Sequence, residues 1–352
     1  MSLKRLLVAV CMCLFFALGV AACSDDDDSD SGNGGGESAQ SGGSTEAEGG
    51  GGSGEGGNVK IAFSAPGADH GWMAAITENA RAEAEELGDV ELIAAEGVLD
   101  SAAQADQIET LIAQEPDALV VLPNEGEALT PVAQKATAAG IPVINVDREF
   151  SEPGAYRLLI TGDNYGIGWQ AGNYFAEELD CEGNVVEIQG IAGISVTEQR
   201  SQGFRDAIQE SCQNGIRIVA SQPADFVPDK GLSVMENILQ AQDQIDAVYT
   251  HDDDMAEGVV SAIENANRDD EMFLTGAGGS KAAMEQIKEG GLYRATFLYN
   301  PSMSASAIRM ARLIVRGQGF EELTEPEVPS QITVPATTVT KDNVDDVMNL
   351  GF

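Results

Sequence analysis

Basic residues are scarce in this 352-residue chain: 19 Lys and Arg stand against 58 Asp and Glu, for a formal charge of -39. Nucleic acid, which is held by clustered cations, is thereby excluded as a partner. Aromatic residues make up only 5% of the chain and there are two His in all, little equipment for acid–base chemistry. No nucleophile elbow is present either, so nothing points to an enzyme. Cysteine is too sparse for a disulfide scaffold, at five in total. No apolar run is long enough to span a bilayer, since the stretch 6–18 falls short of the roughly 20 residues a membrane helix needs. What the chain does have is 43% hydrophobic residues, enough for two domains of ordinary size, each with its own core.

The first residues are an address. Lys4 and Arg5 precede the 6–18 run, the pattern of an export signal over residues 1–22. The signal ends in Val20-Ala21-Ala22-Cys23, which resembles the lipobox of bacterial lipoproteins and marks Cys23 as the lipid anchor. From residue 24 to 57 the chain holds thirteen Gly and nine Asp or Glu, no Lys or Arg and no apolar period, the composition of a flexible tether. Residues 23–57 therefore separate the anchor from a folded body that remains acidic, with 49 acids against 17 bases. These features place the protein outside the cell interior, at the outer face of the cytoplasmic membrane or in the periplasm, touching the membrane through its anchor alone. Cys11 and Cys13 leave with the signal. In an exported protein the remaining pair, Cys181 and Cys212, reads as a disulfide.

Ten short apolar runs read as buried strands: 59–63, 91–94, 118–122, 142–146, 157–161, 184–188, 216–220, 247–250, 272–275 and 294–298. Helical period occupies 72–87, 102–114, 127–139, 168–179, 198–209, 230–241, 255–265, 281–288 and 304–315. Alternating strand and helix implies an α/β fold with parallel sheets covered on both faces. About 295 residues exceed one core, which favours two doubly wound lobes. A (β/α)8 barrel is the alternative, opposed by the turn-rich stretch 147–156, which has no room for a crossover helix.

In doubly wound sheets ligands bind beyond the carboxyl ends of the strands. The residues that follow the strands here are polar or aromatic: Asp69, His70 and Trp72, then Asp147 and Arg148, Arg200, Phe226, the run His251 to Asp254, and Tyr299 with Asn300. Carboxylates, planar guanidinium forks and aromatic faces together suit a polyhydroxylated solute, whose hydroxyls donate and accept while its C–H faces cover rings. Asp69 and Asp254 have a second reading as helix caps, the latter in a capping box with Glu257. The spacing of Gly166, Gly168 and Gly172 is not the dinucleotide fingerprint, and the run Gly276 to Lys281 is not a phosphate loop. No cofactor and no metal site is expected, because the consecutive acids beside His251 point to different sides.

Four stretches carry a likeness to a known family: 141–148 (IPVINVDR), 189–204 (QGIAGISVTEQRSQGF), 221–226 (SQPADF) and 252–258 (DDDMAEG). Through them, and over about 59–338, the chain resembles the ribose- and galactose-type periplasmic sugar-binding proteins that serve ABC importers. The resemblance implies the type 1 periplasmic binding protein fold: two lobes joined by three hinge crossovers near 162–164, 299–301 and 333–336. The N-terminal lobe would hold 58–163 and 300–333, the C-terminal lobe 164–299 and 334–352. Asp147 and Arg148 would bind sugar hydroxyls from the first lobe, and Arg200, Phe226 and Asp252 from the second. Trp72 stands where the family has a stacking aromatic, and Tyr299 and His70 stand where it has amides. Two departures shift the donors and acceptors: Gly278 replaces the usual Asp of a Gly-Phe-Asp-Gly turn, and Asp252 replaces the usual Asn. They point from ribose to another pentose, a hexose or a sugar alcohol. A monomer that delivers this solute to an ABC permease is the function implied. The alternative is a sensory module that signals to a membrane partner.

Overall fold

The apolar runs are continuous, not alternating, because the strands they form are covered on both faces. In the structure, a computed structural model that describes residues 57–320, 323 and 325–352, these runs build two sheets. The first takes β1 (Val59–Ser64), β2 (Val90–Ala94), β3 (Ala118–Val121), β4 (Val143–Val146) and β5 (Leu158–Gly162). The second takes β6 (Gly183–Gln189), β7 (Ile216–Pro223), β8 (Ala247–Thr250), β9 (Phe273–Gly278) and β10 (Tyr293–Leu298). Two further strands, β11 (Gln331–Val334) and β12 (Thr338–Thr340), add one to each sheet. The orders are β11-β5-β4-β3-β1-β2 and β12-β10-β9-β8-β6-β7, and every pair is parallel except β10 with β12. Two doubly wound sheets exclude the barrel alternative. The export segment, Cys23 and the tether up to residue 56 lie outside the described residues.

Helices α1 (Gly71–Leu87), α2 (Ser101–Ile112), α3 (Gly126–Ala138), α4 (Asn164–Glu178) and α5 (Ser195–Cys212) follow the earlier strands. After them come α6 (Pro228–Ala241), α7 (Asp253–Asn265), α8 (Lys281–Glu289), α9 (Met303–Val315) and the short α10 (Val344–Val347). Side-chain caps set several starts: Asp100 accepts from Ala103 N, Asp163 from Gly166 N, Asp252 from Met255 N and Ser280 from Ala283 N. Helix α4 begins four residues before the expected 168, despite Gly166 and Gly168, because Asp163 caps it and α5 lies against it. A Cβ at Gly168 would sit 2.0 Å from the Arg200 carbonyl oxygen, so only glycine lets the two backbones come this close. The glycine spacing is thus a helix-packing seam. Cys181 and Cys212 are joined as a disulfide beside the same pair of helices.

The chain passes between the sheets three times: between β5 and β6, between β10 and α9, and between β11 and β12. Helix α9 packs against α1, β1, β3 and β4, so it belongs to the first sheet. In each sheet the winding reverses beside the first strand, between β1 and β3 and between β6 and β8. Such reversals open a crevice at the carboxyl ends of the strands, and here the two carboxyl edges share one cavity.

Candidate functional site

The cavity is lined by His70 and Trp72 after β1, Asp147 and Arg148 after β4, and Val196 and Arg200 on α5. Phe226 after β7, Asp252 after β8, Ala277 and Gly278 at the end of β9, and Tyr299 after β10 complete the wall. It holds about 340 Å³ of space free of atoms, its open mouth included. Three residues at or beside it, Asp147, Asp225 and Phe226, adopt left-handed backbone with φ of 64°, 56° and 66°. Non-glycine residues are rarely held this way, and when they are the loop is over-determined by its surroundings. At Asp147 the determinant is Asn145, whose amide donates to Arg148 O at 2.9 Å and accepts from Phe150 N at 2.9 Å.

Arg148 is buried, 4% exposed. Its Nη1 donates to Asn124 O at 2.8 Å, whereas its Nε lies 3.7 Å from Asp147 Oδ2 and meets no acceptor. Burial lowers the guanidinium pKa, and the carboxylates of Asp147 and Asp69 oppose that shift. Arg200 is pinned on three sides: Nε donates to Asn164 Oδ1 at 3.0 Å, Nη1 to the His251 carbonyl, and the guanidinium carbon lies 4.7 Å from the Tyr299 ring centroid. The Tyr299 hydroxyl donates to Asp147 and accepts from Asn164 Nδ2 at 3.3 Å. Burial, with the Asp147 charge, pushes its phenol well above the ordinary range. Trp72 stacks on the Tyr299 ring at 5.4 Å and donates Nε1–H to Tyr299 O at 2.7 Å.

His70 Nδ1 lies 2.5 Å from Asp69 Oδ1. Burial alone would depress this imidazole, but the Asp69 bond and the charges of Asp252, Asp69 and Asp254 outweigh it, and its pKa is raised. Burial, reinforced by Asp254 and Asp253 against the pull of His70, pushes the Asp252 carboxyl up to about 7.

Eight of the ten expected ligand residues therefore share one wall. Asp69 stands behind His70 and does not line the cavity, and Asn300 is turned away, its amide donating to Leu350 O at 2.9 Å and accepting from Ser302 N at 2.8 Å. The cap readings of Asp69 and Asp254 do not hold. The N-cap of α1 is His70, without a side-chain capping bond, and that of α7 is Asp252. The run after β8 also divides: Asp253 accepts from Gly279 N, Ser280 N, Tyr293 OH and Thr296 OH, while His251 lies buried beside Glu187. Among the described residues no three His, Cys, Asp or Glu side chains gather as a metal site. Val196 and Ala277 join the wall beyond the expected residues, and Gly278 lines it at the position where the resemblance implies a missing carboxylate. Val196 was open to inference, being four residues before Arg200 and so on the same helix face. The arrangement can bind by hydrogen bonds and ring faces, and no nucleophile stands beside a base in it.

The family model of the periplasmic binding protein domain matches residues 61–319. The chain is 36% identical to the ribose import binding protein RbsB of Bacillus subtilis, over 58% of this chain and 64% of that protein. It is 31% identical to the galactofuranose-binding protein YtfQ of Escherichia coli, over 83% of this chain and 92% of that protein. Among solved structures, an ABC transporter solute binding protein from Bacillus halodurans with bound myo-inositol superposes with a TM-score of 0.76 at 26% identity, covering 84% of this chain and 99% of the other.

Proposed function

The chain belongs to the periplasmic binding protein family, and from that premise we propose that it captures a monosaccharide or sugar alcohol between its two lobes and delivers it to an ABC permease. It is a binding protein, not an enzyme. The observation that carries the reading is the shared wall: Asp147 and Arg148 at one sheet edge face Arg200, Phe226 and Asp252 at the other, with Trp72 and Tyr299 between. Asp147 and Asp252 take hydroxyl protons, the two arginines donate to adjacent oxygens, and the rings cover C–H faces. A buried hydroxyl left without its partner costs about 1–3 kcal/mol, which is how such a site selects one stereoisomer.

In this reading the N-terminal lobe is 58–163 with 300–333 and the C-terminal lobe is 164–299 with 334–352. They hinge at the three crossovers, and the bound solute stabilises the closed form. Lipidated Cys23 and the acidic tether hold the monomeric receptor at the outer face of the membrane, within reach of its permease. The ribose, galactofuranose and myo-inositol in the relatives' names support the solute class. A thermal-shift screen of the full chain against pentoses, hexoses and polyols tests it. A solute at 100 times its Kd stabilises by about 2.7 kcal/mol, and a panel that shifts nothing rejects the proposal.

A further inference from the structure

The first turn of a helix exposes N–H groups that a local side chain usually caps. Helix α1 has no such cap: its N-cap residue His70 makes no side-chain bond to the N–H groups of the helix, and its first turn holds no acid. The acceptor comes instead from the other sheet. Asp254, in the first turn of α7, takes the Trp72 N–H at 3.0 Å through Oδ2. The carboxylate comes close to Gly71 as well, where a Cβ would sit 3.0 Å from Asp254 Oδ1. Asp254 does not line the cavity, so it touches no solute.

We propose that Asp254 is the closure residue of this receptor: its carboxylate caps α1 of the opposite lobe only when the lobes are together, and so adds to the free energy that ligand binding must otherwise supply. The inference rests on the two-lobed receptor reading. When the lobes part, α1 loses its cap and Asp254 its donor. Separation also parts His70 from the Asp254 carboxylate and from Asp252, whose carboxyl is itself partly protonated near pH 7. The groups facing His70 are Asp69 on its own loop and Asp252 and Asp254 from α7, with the neutral Phe226 ring at 6.1 Å; Arg148 acts on Asp69, and Asp253 on Asp252. Closure therefore raises the proton affinity of His70 and takes up protons. Its contribution is complete below the open-state value and is lost as pH rises through the higher closed-state value.

Two substitutions separate the cap from the charge. Asp254→Ala removes both, and loss of a helix cap predicts roughly five- to tenfold weaker binding of the best sugar at neutral pH. Asp254→Asn keeps an acceptor able to cap and removes only the charge, so binding stays within about threefold while the fall in affinity from pH 6 to 8 flattens. Calorimetric titration of the full-length variants reads both effects. An Ala variant within twofold of wild type, or an unaltered pH profile in the Asn variant, overturns the proposal. Should the wild-type chain bind no sugar, the receptor reading fails and amide exchange in the ligand-free protein decides the latch. Faster exchange at Trp72 in the Ala variant but not the Asn variant supports it, and equal rates in all three proteins overturn it.

Discussion

Replacing Arg148 by alanine removes the most deeply committed donor of the first sheet's edge. The guanidinium is buried, one nitrogen is spent on Asn124 O, Nε meets no protein acceptor, and Arg148 lines the cavity. A solute hydroxyl there receives a charge-assisted bond, and bonds to charged groups contribute about 1.5–3 kcal/mol. The dissociation constant of Arg148→Ala should therefore rise roughly ten- to hundredfold. Stability without ligand should change much less. Truncation relieves the desolvation of a guanidinium, and this offsets the loss of its bond to Asn124 and of the Asp147 charge 3.7 Å away. Arg148→Lys keeps the charge without the planar fork and should recover only part of the affinity. Titration calorimetry measures the binding term, and thermal melts with and without sugar separate it from folding. A dissociation constant within twofold of wild type in the Ala variant refutes the assignment.

Gly168→Ala should lower stability by about 1–3 kcal/mol and weaken sugar binding as well, because the new methyl meets the carbonyl of Arg200, whose side chain lines the cavity. A urea midpoint equal to wild type counts against the close α4–α5 seam. Glu187 is fully buried; burial favours its neutral form, but bonds from His251, Ser201 and Ser221 outweigh this and hold the carboxyl well below its usual range. Its contribution to stability is then complete above the unfolded value, near 4.3, and is lost as pH falls below it. Wild type should lose more stability between pH 6 and pH 3.5 than Glu187→Gln, as read by chemical denaturation at each pH. Equal losses contradict the sign.

Strands covered on both faces, such as the runs at 118–121 and 247–250, are legible as unbroken apolar runs. Strands β11 and β12 are not. Gln331–Val334 is mostly exposed and Thr338–Thr340 is three residues long, and each is a strand because β5 or β10 presents an open edge beside it. The start of α4 was hidden for a related reason: glycine lowers local propensity, and only the fit against α5 explains its presence there. At the site, placement after a strand identifies Asp147, Arg148, Phe226, Asp252 and Tyr299 because doubly wound topology sends those loops to one edge. Position alone does not fix rotation. Asp69 turns to His70, Asn300 turns to Ser302 N and Leu350 O, and Asp254 crosses to the other lobe, none of which can be read from spacing.

A crystal structure of the full chain grown with the sugar that shifts its melting point most tests the central claim directly. One sugar ring should lie within hydrogen-bond distance of Asp147 or Arg148 on one side and of Arg200 or Asp252 on the other, with the Trp72 or Tyr299 ring against its C–H face. A sugar held by residues of a single lobe, or bound outside this cavity, contradicts it.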